Sequence, residues 1–112
     1  QPKIDYERLN AIRARTPVHL VLHGGSGVPA EMMSKAIRLP HGGVSKVNIA
    51  TDLELSMLEA LGRTERMNNT ECKSLSAADL AKGLAAVEAT VIEKMTNFLD
   101  SARRAAEFEK MQ

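Results

Sequence analysis

The sequence predicts an α/β fold with parallel strands, and three observations lead to this prediction. Val18–Leu22 is a nearly continuous apolar run of strand length, typical of a buried parallel strand. A glycine-rich loop, 23–27, follows it at once, and a helical pattern then leads to a second strand-like run at 45–50. The order is therefore strand, glycine loop, helix, strand, with a further helix opening at Thr51.

The elements before and between the strands follow from apolar spacing and helix-ending signals. Tyr6, Leu9 and Ile12 lie on one stripe of a first helix, which Thr16-Pro17 ends. The second helix begins near Pro29, and Leu39-Pro40 stops it; its inward stripe is Met32, Met33, Ala36 and Ile37. The third helix opens with Thr51-Asp52 and its apolar positions are Leu53, Leu55, Leu58 and Leu61.

The remainder of the chain reads as a loop followed by one long helix. Residues 62–75 are polar and contain Gly62, so we expect a loop with at most a short helical turn. Ser76-Ala77-Ala78-Asp79 resembles a capping box, and we predict a terminal helix over 76–112. Its apolar stripe is Leu80, Leu84, Val87, Val91, Met95, Phe98 and Ala102.

Two parallel strands are too little sheet to stand alone, because a buried parallel strand needs neighbours and cover on both faces. A (β/α)8 TIM barrel of roughly 250 residues would supply the missing strands. We therefore predict that residues 1–112 are the C-terminal part of one barrel domain. Residues 1–61 would be its last two β/α units, 62–75 a loop and 76–112 the terminal helix.

Composition excludes several classes of protein. The 112 residues carry a net charge of +1 and are 26% charged, ordinary for a globular chain and too balanced to favour nucleic acid or a membrane surface as partner. The lone Cys72 makes no internal disulfide and is compatible with a reduced compartment. Gln1–Asp5 has no initiator methionine and no signal-peptide core, so we expect a cytoplasmic chain that begins at a cut in a longer one.

The unusual residues cluster where the two strands end. His23-Gly24-Gly25-Ser26 follows the first strand, and Asn48 to Asp52 covers the end of the second. In a parallel barrel these loops share the catalytic face, where glycine amides and hydroxyls often bind phosphate. From the residues alone, His23 is either a metal ligand or a structural histidine, and the glycine loop either a phosphate cradle or a plain turn.

The paired motifs LVLHGGSG, 20–27, and KVNIATD, 46–52, closely resemble the end of class II fructose- and tagatose-bisphosphate aldolases. Residues 1–9 also look like the family's segment after its mobile zinc-binding loop. The resemblance implies a (β/α)8 barrel and a lyase that cleaves a ketose 1,6-bisphosphate to dihydroxyacetone phosphate and an aldehyde. It further implies a role in carbohydrate metabolism such as glycolysis, and a homodimer or homotetramer.

The same resemblance implies roles for individual residues. His23 would be one of three histidines on a catalytic Zn2+, the other two lying outside this chain. Asn48 would contact the substrate hydroxyl and the developing enediolate, and Asp52 either joins the site or only begins a helix. The phosphate of dihydroxyacetone phosphate would be held by Gly24, Gly25, Ser26, Asn48, Ile49, Ala50 and Thr51. A monovalent cation, Na+ or K+, would lie near that phosphate.

The chain has two further histidines, and we expect neither to bind the metal. His41-Gly42-Gly43 lies in a helix-to-strand connection, on the barrel face opposite the chemistry, so we expect His41 to be structural. His19, on the same strand face as His23 and one layer deeper, is either a buried residue behind the metal ligand or, the reading we favour, simply packed or solvent-exposed. Two rival functions stay open: a non-catalytic barrel subunit supporting an aldolase partner, and a metal-free phosphosugar-binding barrel.

Overall fold

The computed structural model describes residues 2–111 and contains two parallel strands among helices. Its elements, in chain order, are α1 (Tyr6–Arg15), β1 (Leu20–Leu22), α2 (Ala30–Ile37), β2 (Val44–Val47), α3 (Thr51–Ala60), α4 (Asn69–Lys73), α5 (Ala77–Glu93), a π-helical turn (Lys94–Phe98) and α6 (Ala105–Lys110). The mixed α/β class predicted from the sequence is confirmed. Membership of a larger barrel remains a prediction.

The two strands form a parallel pair, with α2 as the crossover between them. Leu20 pairs with Val44 and Leu22 with Val47, and an irregularity in the register lies between Leu20 and Val21. Both strands are shorter than the predicted runs: β1 lacks Val18 and His19 at its amino end, and β2 ends at Val47, before the Asn48 segment. The carboxyl ends of both strands therefore lie side by side.

A small core joins the loops to the C-terminal part of the chain. Val28, Met33 and Phe98 are buried together, and Leu22, Val47 and Ile49 are among the half-buried side chains that pack on them. Phe98 comes from the π-helical turn, so the C-terminal region supports the underside of the strand-end loops. The prediction that Met33 fills the core is confirmed, since its side chain is fully buried.

The predicted single helix over 76–112 is wrong beyond Phe98. The backbone amides of Ser101 and Ala102 both donate to the carbonyl of Met95, which turns the chain back on itself. Asp100 and Arg103 adopt positive φ angles of 52° and 62°, and Asp100 forms an ion pair with Arg38, directly after α2. The sequence has no glycine or proline there to signal this ending.

The apolar stripe predicted for the terminal helix is also largely uncovered within residues 2–111. Leu84 is 54% exposed and Met95 44% exposed, whereas Gly83 is buried against α3. A Cβ at Gly83 would lie 2.9 Å from Cε of Met57, so the missing side chain lets α5 approach α3 closely. At Gly83 the two helices therefore approach closely because no side chain stands between them.

The segment 62–75 was predicted to be a loop with at most a short helical turn, and it contains the five-residue helix α4. Asn68 and Glu71 form a reciprocal capping box: the Asn68 side chain accepts from the Glu71 amide at 2.9 Å, and Glu71 accepts from the Asn68 amide at 2.8 Å. This backbone bond, with the nearby Arg63 guanidinium, lowers the pKa of the Glu71 carboxyl.

In residues 2–111, no helix is long and apolar enough to cross a membrane.

Candidate functional site

The end of β1 and the end of β2 are held together by backbone hydrogen bonds. The amide of Asn48 donates to the carbonyl of Leu22 at 3.0 Å, and the amide of Gly25 donates to the carbonyl of Asn48 at 2.9 Å. A Cβ at Gly25 would overlap Val47 and lie 3.2 Å from the Asn48 carbonyl oxygen. Glycine is thus required at 25 because the loop passes directly over the second strand.

His23 and Asn48 meet across this junction. The Nδ2 atom of Asn48 lies 2.9 Å from Nδ1 of His23, and the Oδ1 atom of Asn48 accepts from the ammonium of Lys46. An ammonium only donates, so its contact fixes which end of the amide is oxygen and leaves the NH2 group facing His23. With the amide in that orientation, Nδ1 of His23 lies in the position of an acceptor.

Zinc binds an imidazole through a ring nitrogen whose lone pair is free, so a metal at Nδ1 of His23 would take the place of the Asn48 contact. Within residues 2–111 there is no group of three or more His, Cys, Asp or Glu side chains that could hold a metal ion. His23 would thus supply one ligand of a site completed by other residues. Its side chain is exposed in residues 2–111, and so is open to such partners.

Ser26 caps the helix that follows the other strand. Its Oγ accepts from the backbone amides of Ala50 and Asp52, both at 3.2 Å, at the start of α3. A hydroxyl has two acceptor lone pairs and one donor, so the O–H of Ser26 is still free to donate to an anion. The amide of Ser26 makes no hydrogen bond within residues 2–111. The hydroxyl donor lies at the positive end of α3.

Asp52 connects the glycine loop to the C-terminal region. Its Oδ2 accepts from the amide of Gly27 at 3.3 Å and lies 2.8 Å from Nζ of Lys94, at the start of the π-helical turn. Lys94 also lies 4.2 Å above the ring of Phe98. Asp52 thus links the first turn of α3 to the glycine loop and to the π-helical turn, and its part in the site stays a prediction.

The structure brings most of the sequence-predicted residues to one edge but gives them unequal exposure. Asn48 is half-buried, Thr51 is exposed at the first position of α3, and Gly24 is exposed with a positive φ of 70°. Ile49 packs its side chain on the core, so only its backbone could line a ligand. The Ala50 amide is bound to Ser26.

Lys46 and Lys94 contact this edge and were missed by sequence reasoning. Lys46 lies two positions before Asn48, and alternation along a strand would have placed both on one face. Nothing in the sequence links Lys94 to Asp52, because the contact depends on where α5 ends.

The other two histidines lie away from this edge. His41 is exposed in the connection from α2 to β2. His19 is also exposed, and its Nδ1 lies 3.0 Å from Oγ of Ser45, near the amino ends of the strands. The expectation that His19 is packed or exposed rather than part of the strand-end cluster agrees with this placement.

These features define a parallel α/β chain with a histidine, an asparagine and a helix-capping glycine–serine loop at the carboxyl edge of its strands. The family model for class-II fructose-bisphosphate aldolases matches residues 1–103, and the chain belongs to that family. This confirms the resemblance inferred from the two motifs.

A curated relative lies in the same family. The chain is 37% identical, over 112 residues, to a 6-phospho-5-dehydro-2-deoxy-D-gluconate aldolase of Shouchella clausii (strain KSM-K16). The match covers 100% of this chain and 36% of that protein, so the chain spans about a third of the relative's length.

Proposed function

We propose that this chain is the C-terminal segment of a zinc-dependent aldolase that reversibly cleaves a phosphorylated ketose to dihydroxyacetone phosphate and an aldehyde. The observation that carries the proposal is the contact of His23 with Asn48, 2.9 Å between ring and amide nitrogen, beside the serine-capped loop. Family membership supports the aldolase class. The metal and the substrate are inferred from the family resemblance, and the residue roles from the motif positions together with the site.

The chain's own residues would bind and orient the phosphate half of the substrate. The Ser26 hydroxyl and amide offer two donors to phosphate oxygens at the positive end of α3, with Thr51 beside them. Gly24 and Gly25 allow the backbone to approach the anion closely. Fixing the phosphate places the ketone at one position relative to His23 and Asn48, which makes remote binding energy useful for catalysis.

His23 would hold the metal together with ligands from outside this chain. When bound, Zn2+ supplies Lewis-acid stabilisation of the negative charge that develops on the substrate oxygens. The Asn48 amide NH2, oriented by Lys46, would donate to a substrate hydroxyl next to that charge. A monovalent cation, Na+ or K+, near the phosphate belongs to the same proposal.

The substrate has two candidates. A ketose 1,6-bisphosphate follows from the family resemblance, whereas the Shouchella relative is named for 6-phospho-5-dehydro-2-deoxy-D-gluconate. Both compounds carry a phosphate on the carbon next to a ketone, so the half held by this chain would be the same. The aldehyde half would be recognised elsewhere in the barrel.

The decisive experiment is an aldol-cleavage assay of the full-length protein with both candidates, before and after treatment with a chelator. We expect cleavage of one of them, loss of activity on chelation and recovery with zinc. Borohydride with substrate should leave the enzyme active, because no lysine Schiff base forms. Cleavage that persists after complete metal removal would refute the metal mechanism, and phosphosugar binding without cleavage would favour the non-catalytic barrel.

Ser26→Ala is expected to raise KM for the phosphorylated substrate about tenfold, since it removes one donor to the phosphate. It should also cost about 1 kcal/mol of stability, because α3 loses its cap. Steady-state kinetics and thermal melting measure the two effects. The matched control is Ser45→Ala, at the other end of β2, which should leave KM unchanged. An unchanged KM in Ser26→Ala would exclude Ser26 from the phosphate site.

A further inference from the structure

Asp52 is a carboxylate in a position that would oppose an anion. It lies on the first turn of α3, and its Oδ2 accepts from Gly27 in the loop proposed to hold phosphate. The Ser26 hydroxyl oxygen bonded to the Asp52 amide is the same atom proposed to donate to that phosphate. An unpaired carboxylate next to that hydroxyl would repel a phosphate dianion bound there.

Lys94 removes that negative charge from the site. Its Nζ lies 2.8 Å from Oδ2 of Asp52, and the two side chains are only 16% and 20% exposed, so solvent screens the pair weakly. The ring of Phe98, itself 2% exposed, lies under the ammonium at 4.2 Å. Lys94 is thus held from two sides at the start of the π-helical turn.

The backbone around Lys94 is also specialised. The amide of Leu99 donates to the Lys94 carbonyl at 2.8 Å, the wider hydrogen-bond spacing of a π turn, and such turns often occur at functional sites. Phe98 from the same turn packs on Val28, immediately after the glycine loop. The C-terminal region therefore contacts the loop through a charge and through the core.

We propose that Lys94 is a positioning residue for the phosphate site: it neutralises Asp52 while leaving that carboxylate to hold the Gly27 end of the loop. This rests on the proposed function, because it presumes that the loop binds phosphate. It assigns to the C-terminal helix a part in substrate affinity, although Lys94 itself acts only through Asp52.

The test is the affinity of the full-length protein for inorganic phosphate, measured by calorimetric titration, with the melting temperature of every variant recorded. Lys94→Met keeps the apolar stem and removes the charge, and we expect it to raise the Kd about tenfold or more. Lys94→Arg retains the charge and should stay close to wild type. The matched control is Lys82→Met, an exposed lysine on α5, which should leave the Kd unchanged.

The pairing itself is tested by removing both charges. In Asp52→Asn the side-chain amide oxygen can still accept from Gly27, so this variant should bind phosphate at least as tightly as wild type. Combining Asp52→Asn with Lys94→Met should restore most of the affinity that Lys94→Met loses. A purely structural role predicts the opposite, a double variant as weak as Lys94→Met or weaker.

The outcomes separate the two proposals. If wild type fails to bind inorganic phosphate, the phosphate loop of the proposed function is wrong. If wild type binds and Lys94→Met binds equally well, only the role of Lys94 is overturned. Should Lys94→Met fail to fold, Asp52→Asn decides, because weaker binding by that variant contradicts charge neutralisation and equal or tighter binding supports it.

Discussion

His23→Ala in the full-length protein is expected to release the bound zinc and to lower kcat/KM for aldol cleavage at least about 10³-fold. The size follows from losing a Lewis acid that contributes several kcal/mol to transition-state stabilisation. The imidazole is exposed within residues 2–111, so the fold should survive its removal. Metal content by mass spectrometry and steady-state kinetics measure the two losses.

The chain provides a matched control for this variant. His41 also precedes two glycines, but it lies in the connection from α2 to β2 and contacts neither Asn48 nor Ser26. His41→Ala should therefore retain full zinc content and activity. Full activity in His23→Ala together with one zinc per subunit would show that the metal ligands lie entirely outside this chain.

How far the sequence predicted this site depends on the range of each interaction. The strands, the glycine loop and the start of α3 are encoded locally, by an apolar run, a cluster of glycines and a Thr-Asp pair. Placing His23 and Asn48 at one edge followed from the parallel arrangement alone. Their direct contact confirms that geometric step, while their catalytic roles stay predictions.

What the sequence could not predict are the contacts made by the chain's far end. Helical periodicity continues smoothly through Phe98 to Ala102, so it gives no sign that the helix opens into a π turn and then reverses at Asp100. Asp100, just past this ending, forms an ion pair with Arg38, a tertiary contact that local periodicity does not encode. The Lys94–Asp52 pair arises from the same packing, and for that reason no local pattern marked it.

The largest effect on stability is expected at Gly43, a residue that the sequence marked only as part of a turn. Gly43 is buried where α2 ends and β2 begins. A Cβ there would lie 2.9 Å from the carbonyl oxygen of Ile37 and would overlap the carbonyl of Ala36. These are backbone atoms, which cannot rotate away as the end of a side chain would.

Gly43→Ala should therefore destabilise the protein by about 3 kcal/mol or more, at or above the upper end for overpacking a core. In a domain of 150–250 residues this lowers the melting temperature by about 6–12 °C, which calorimetry of the full-length protein measures. The neighbouring Gly42→Ala is the matched control. A Cβ at position 42 would meet only Cδ of Arg13, at 3.6 Å, and the variant would carry only the strain of an alanine at a φ of 87°.

Gly43→Ala should also affect function, because only the short strand β2 separates Gly43 from Asn48. Moving α2 away from β2 shifts Val44–Val47, and Asn48 is hydrogen-bonded to Leu22 directly after that strand. Any folded Gly43→Ala protein should thus also lose activity, since a misplacement of about 1 Å at a reacting group costs up to about 10²-fold. A variant that melts like wild type and retains full activity would show that the end of α2 can move without disturbing the strand-end loops.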